Sequence, residues 1–155
     1  MKKAMGLARV RLLGVRLVCI MLLGATLAGG TTGARAEVIK LQAELKGSNE
    51  VPPNSSTASG TAEATFDTDT KFLTYTVTYS GLSGPAMGAH FHGPGEAGKN
   101  AGIVLPFKTV QSPIRGDATL TDSQATDLLA GKWYANIHTA ANPGGELRGQ
   151  MMKQN

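Results

Sequence analysis

The sequence predicts an all-β chain, an antiparallel β-sandwich of seven to nine short strands with one short helix. Three observations lead there. Ala58 to Asp67 and Lys71 to Ser80 alternate apolar and polar residues with a period of two, as strands with one buried and one wet face do. Clusters of Gly, Pro, Asn and Ser recur at short intervals between such runs. One stretch, Thr121 to Gly131, carries helix signals instead.

Residues 1–36 differ from the rest. Lys2, Lys3, Arg9, Arg11 and Arg16 give a basic start, Leu17 to Ala28 is apolar, and Ala34-Arg35-Ala36 has the small-x-small form of a cleavage site. A secretory signal peptide is expected over 1–36, with one domain over 37–155. The apolar run falls short of the roughly 20 residues a membrane span needs. Six of the fifteen basic residues and none of the eleven acidic ones lie in this segment, so residues 37–155 carry nine against eleven, a net charge of −2. The isoelectric point of about 9.4 therefore belongs to the whole chain and not to the domain. That balance argues against a nucleic-acid or anionic-lipid binder. The one cysteine, Cys19, also falls in the first segment, which removes disulfides, thiolate catalysis and cysteine metal sites from the domain.

The elements follow in order. Glu37 to Lys46, with Leu41, Ala43 and Leu45 on one side, is the first strand, and Gly47 to Ser56 is a loop. Ala58–Asp67 sets Gly60, Ala62, Ala64 and Phe66 against Thr61, Glu63, Thr65 and Asp67. Lys71–Ser80 sets Leu73, Tyr75, Val77 and Tyr79 against three threonines, and the two runs make a hairpin. Gly81 to Pro85 breaks the chain before a His-x-His strand, and a glycine-rich loop, Gly93 to Gly102, follows it. Ile103–Lys108 and Ile114–Leu120 are short strands. Thr121 with Gln124 three residues on is a capping box, Ala125, Leu128 and Leu129 supply an apolar stripe, and Gly131 ends the helix. Lys132–Thr139 turns Trp133, Ala135 and Ile137 inward and Tyr134, Asn136 and His138 outward. After a turn at Ala140–Gly145, Glu146–Lys153 turns Leu147 and Met151 inward and Glu146, Arg148 and Gln150 outward.

All three histidines of the chain fall on the face turned from the core. His90 and His92 flank Phe91 and point the same way, about 7 Å apart along the strand. A metal–nitrogen bond near 2 Å then needs another ligand, and His138 is the remaining histidine. If the three strands that carry this polar face are neighbours, the imidazoles meet in one patch with Asn136, Glu146 and Arg148. Three imidazoles without a thiolate suit copper or zinc, with copper the tighter binder. Asn136 or Glu146 would hold a ring N–H, Arg148 would orient an anion, and Met87 or Met151 would offer a thioether. The competing reading has the histidines bonded to their neighbours as strand fastenings. The sequence shows no nucleophile beside a base, no phosphate-cradling loop and no paired carboxylates, so hydrolase and transferase chemistry has no support.

A longer pattern adds a resemblance. It runs through Phe72-x2-Tyr75-x-Val77-x-Tyr79-x-Gly81-Leu82-Ser83-Gly84-Pro85, Ala89-His90-Phe91-His92-Gly93-Pro94, Leu120-Thr121-x2-Gln124, Trp133-Tyr134-x-Asn136-Ile137-His138-Thr139 and Pro143-Gly144-Gly145-Glu146-Leu147-Arg148-Gly149-Gln150. This resembles the CHRD domain, found in chordin and singly in secreted bacterial proteins, and implies an extracytoplasmic β-sandwich of immunoglobulin-like or superoxide-dismutase-like form. Copper/zinc superoxide dismutases are similar at the site: a His-x-His strand and a later histidine hold copper, and an arginine steers the anion, roles that His90, His92, His138 and Arg148 would fill. The chain has no further histidine for a bridging or zinc position.

The expectation is a periplasmic or secreted protein that holds one copper ion, or zinc, through His90, His92 and His138 for copper sequestration, delivery or tolerance. Binding is expected over catalysis. The alternatives are a metal-free module for an extracellular protein or polysaccharide, and a copper redox enzyme of dismutase type. The expected partners are the metal ion and an extracellular protein, with no nucleic acid and, after signal removal, no membrane.

Overall fold

Nine antiparallel strands and one helix form residues 37–154, the part of the chain that a computed structural model describes; the expected signal peptide lies outside it. The alternating runs become a meander of β1 (Val38–Lys46), β2 (Ser59–Asp67) and β3 (Phe72–Ser80) in continuous register. Their inward residues, among them Leu41, Leu45, Ala62, Phe66, Leu73 and Val77, are buried. On the wet face Thr61 meets Thr78 at 2.8 Å and Thr65 meets Thr74 at 2.7 Å. Each such cross-strand pair contributes about 0.2–1 kcal/mol.

The remaining strands are β4 (Ala86–His92), β5 (Ile103–Pro106), β6 (Ile114–Thr119), β7 (Tyr134–Thr139), β8 (Leu147–Gln150) and the short β9 (Met152–Lys153). The order is β5-β4-β7-β8-β1-β2-β3-β6, with β9 also on β1. Between β8 and β1 the only paired residues are Lys46 and Arg148. There the sheet curls and its two halves face each other. Tyr75 of β3 meets Phe91 of β4 edge-on at 5.2 Å, and Phe107 packs on both rings at 4.8 and 4.9 Å. Trp133 completes this core at 5.8 Å from Phe91.

The helix α1 (Asp122–Leu129) begins as the sequence requires. The Thr121 hydroxyl accepts from the Gln124 backbone N–H at 3.2 Å and the Gln124 side-chain Oε1 accepts from the Thr121 N–H at 2.9 Å. Ala125 and Leu128 are its buried face, and Gly131, at φ +72°, takes the left-handed turn beyond its end. Strand β7 starts two residues later than the alternation implies, at Tyr134, so Trp133 enters the core from the connection.

One expectation is corrected. The outward residues of β7 and β8, and the residue just before β8, do not lie on an open surface: Asn136, Arg148 and Glu146 are all buried. Two loops fold over them. Asn54 donates to the carbonyls of Gly145 and Glu146, Asn49 donates to the Arg148 carbonyl, and Asn100 reaches across to the Val51 carbonyl. These side-chain bonds to backbone groups let a polar loop lie on a sheet without leaving amides unpaired.

Candidate metal centre

Strands β4, β7 and β8 are neighbours, so the residues on their common face come together. In the β4–β7 register His90 faces Asn136, His92 faces Tyr134, and His138 faces Gly88. His138 is therefore the diagonal neighbour of His90, and Gly88 puts no side chain beside it. The rings of His90 and His138 are 4.6 Å apart, those of His90 and His92 4.6 Å, and those of His92 and His138 6.3 Å. One ring nitrogen from each histidine lies within 4.8 Å of the other two.

Three ring nitrogens are buried and unpartnered: Nδ1 of His90, Nε2 of His92 and Nε2 of His138. The opposite nitrogens explain two of them. His92 Nδ1 lies 2.8 Å from the Ala101 carbonyl oxygen and His138 Nδ1 3.0 Å from that of Pro143. A carbonyl only accepts, so each Nδ1 carries the hydrogen and each Nε2 keeps a free lone pair. Burial, then the neighbouring His138 and His92, push His90 down to about 4. Burial also lowers His92, against the opposing pull of the Ala101 carbonyl. His90 and His92 thus present uncharged donors near neutral pH. An unmet buried acceptor costs about 1–3 kcal/mol, and a cation among these lone pairs would remove that cost. Metal–nitrogen bonds of about 2.0–2.1 Å bring donors closer to one another than the 4.8 Å bound.

The other expected residues sit elsewhere. Neither Asn136 nor Glu146 holds a histidine; backbone carbonyls of Ala101 and Pro143 do that work. Asn136 donates to Glu50 Oε1 at 2.6 Å and to the Leu147 carbonyl at 3.0 Å. Glu146 accepts from Ser56, Ser83 and Thr139 at 2.6–2.8 Å. Burial would raise its carboxyl, but these bonds outweigh burial and hold it at about 2. Arg148 donates to Asn100 Oδ1 at 2.9 Å and to the Lys99 carbonyl at 2.6 Å, and is 2 % exposed, so it is enclosed and not free to steer an anion. Met151 lies in the core, whereas Met87 is 71 % exposed on β4.

Tyr134 is the residue that sequence reasoning passed over. Its ring stacks on His92 with centroids 4.7 Å apart and planes 8° from parallel, and the Arg148 guanidinium lies 3.5 Å from its centroid. Its hydroxyl accepts from the Ala101 N–H at 3.0 Å, which fixes the residue whose carbonyl orients His92. The alternation had already put Tyr134 on the histidine face; its place opposite His92 needed the register.

Comparison with curated proteins and with solved structures gives no match. The family model of the CHRD domain does match, over residues 41–151. That span takes in both halves of the curled sheet, the helix and all three histidines, and the chain belongs to the CHRD domain family.

Proposed function

We propose that this CHRD-domain protein binds one copper ion through His90, His92 and His138 outside the cytoplasm, for copper sequestration, delivery or tolerance. The observation that carries the reading is the convergence of three buried, unpartnered ring nitrogens from every histidine in the chain. The Ala101 and Pro143 carbonyls support it, since a ligand imidazole commonly donates its other N–H to such a group. Copper is preferred to zinc because an all-nitrogen site binds it more tightly. The extracytoplasmic setting rests on the signal-like residues 1–36. Retention is favoured over dismutase-type turnover because Arg148 is committed to Asn100, Lys99 and Tyr134.

The test is titration of the purified protein with copper and zinc, read by metal content and competition with chelators. One equivalent of copper is expected, with affinity reduced at least about 100-fold in His92→Ala and in His138→Ala. If neither zinc nor copper in either oxidation state binds more tightly than micromolar, the copper reading fails and the metal-free interaction module takes its place.

A further inference from the structure

We propose that the three-histidine site selects monovalent copper, Cu(I), over Cu(II) and Zn(II), an inference that rests on the copper reading above. The argument is the charge around the donors. Among the described residues the cluster contains no carboxylate and no thiolate. The acidic residues on the surrounding segments are engaged elsewhere. Glu146 accepts from Ser56, Ser83 and Thr139, Glu50 accepts from Asn136, and Glu96 lies 3.6 Å from Lys132. The charge that does stand against the site is positive: Arg148 lies over the Tyr134 ring, and that ring stacks on His92.

The cost of taking an ion out of water grows with the square of its charge, about fourfold from a monovalent to a divalent ion of similar size. A divalent ion here would meet three uncharged nitrogens, no anion, and a guanidinium one ring away from a ligand. Cu(I) meets the same donors at a quarter of that cost. Cu(I) also accepts a coordination number as low as two or three, which fits a site that supplies three ligands.

The test measures both oxidation states on the same protein. Anaerobic Cu(I) titration against a chromophoric Cu(I) chelator, and Cu(II) and Zn(II) titrations against competing chelators, are expected to show Cu(I) bound at least 100-fold more tightly than either divalent ion. At 59 mV per tenfold for one electron, that ratio raises the potential of the bound copper about 120 mV above aqueous copper. Ile103→Glu supplies the control. Ile103 is the cross-strand partner of His92, on edge strand β5 and 56 % exposed, so a carboxylate there adds charge at the site without entering the core. It is expected to move the ratio at least tenfold toward Cu(II). Equal or tighter Cu(II) or Zn(II) binding by the unaltered protein overturns the inference and leaves the copper reading standing. Absence of binding in either oxidation state overturns the copper reading itself. An unchanged ratio in a folded Ile103→Glu overturns the charge argument.

Discussion

His92 is fixed from two sides, by the Ala101 carbonyl at its Nδ1 and by the Tyr134 ring on its face. Tyr134 therefore bears on the candidate metal site through His92 alone. Tyr134→Phe keeps the stack and loses the hydroxyl contact to Ala101, and Tyr134→Leu loses both. We expect copper affinity to fall slightly in the first and about tenfold or more in the second, with global stability lowered less than affinity, as competition titrations alongside urea unfolding will read. Glu50 gives a second residue-scale prediction. Burial raises its carboxyl to about 7, against the pull of Asn136 and Arg148. A carboxyl raised above its unfolded value contributes stability below pH 4.5 that is lost as pH climbs through 7. Glu50→Gln should thus gain on the unaltered protein between pH 5 and pH 8 by roughly 1–2 kcal/mol after solvent screening. Denaturant unfolding at the two pH values checks this, and an unchanged difference would count against a buried Glu50.

At the scale of elements, the loop after β4 carries the Ala101 carbonyl that orients His92. Gly93 lies so close to Trp133 that an added Cβ would sit 2.6 Å from its Cδ1, and the Trp133 ring is itself immobilised in the core. Gly93→Ala should cost about 1–3 kcal/mol through forced displacement of one or the other. It should also weaken copper binding, because the same loop carries Ala101. The helix makes a contrasting case. Thr121→Ala removes its capping box, with an expected loss of about 1 kcal/mol and no change in metal affinity, since α1 supplies none of the three ligands. Comparing the two variants by thermal unfolding and copper titration separates general destabilisation from damage to the site.

For the whole molecule, an ion held by the three histidines would tie together chain segments that lie far apart. His90 and His92 sit in β4 and His138 in β7, and their partner carbonyls sit in two different loops. A ligand that binds only the folded state stabilises by about 4 kcal/mol at 1,000 times its dissociation constant. Copper should therefore raise the melting temperature with ligand concentration, and His138→Ala should abolish that dependence while remaining folded. In the apo protein the His90 contribution should in turn be lost as pH falls from 6.5 toward 4, opposite in sign to that of Glu50, so the difference in unfolding free energy between the unaltered protein and His90→Ala is the quantity that reads it. His90 is held at about 4 in the fold, so its contribution is present above pH 6.5 and lost as pH falls through the folded value. The Glu146 contribution follows lower, between about 4.5 and 2.

Period-two alternation set the inward side of β2 and β3, and the Thr121–Gln124 spacing set the start of the helix, because each depends on residues near one another in the chain. The same local logic put His90, His92 and His138 on one face. Local pattern could not say that β4 and β7 are neighbours, nor that His138 lies diagonal to His90, since register is a property of two strands together. It also misjudged Asn136, Glu146 and Arg148. Polar residues in alternation look solvated until a distant segment folds over them, and here residues 47–58 and 93–102 do so, meeting their hydrogen bonds from the other side. Alternation along each strand was enough to say which side chains share a face. The tertiary structure decided which of them are left with unpartnered lone pairs, because that depends on every group brought within 3 Å of them.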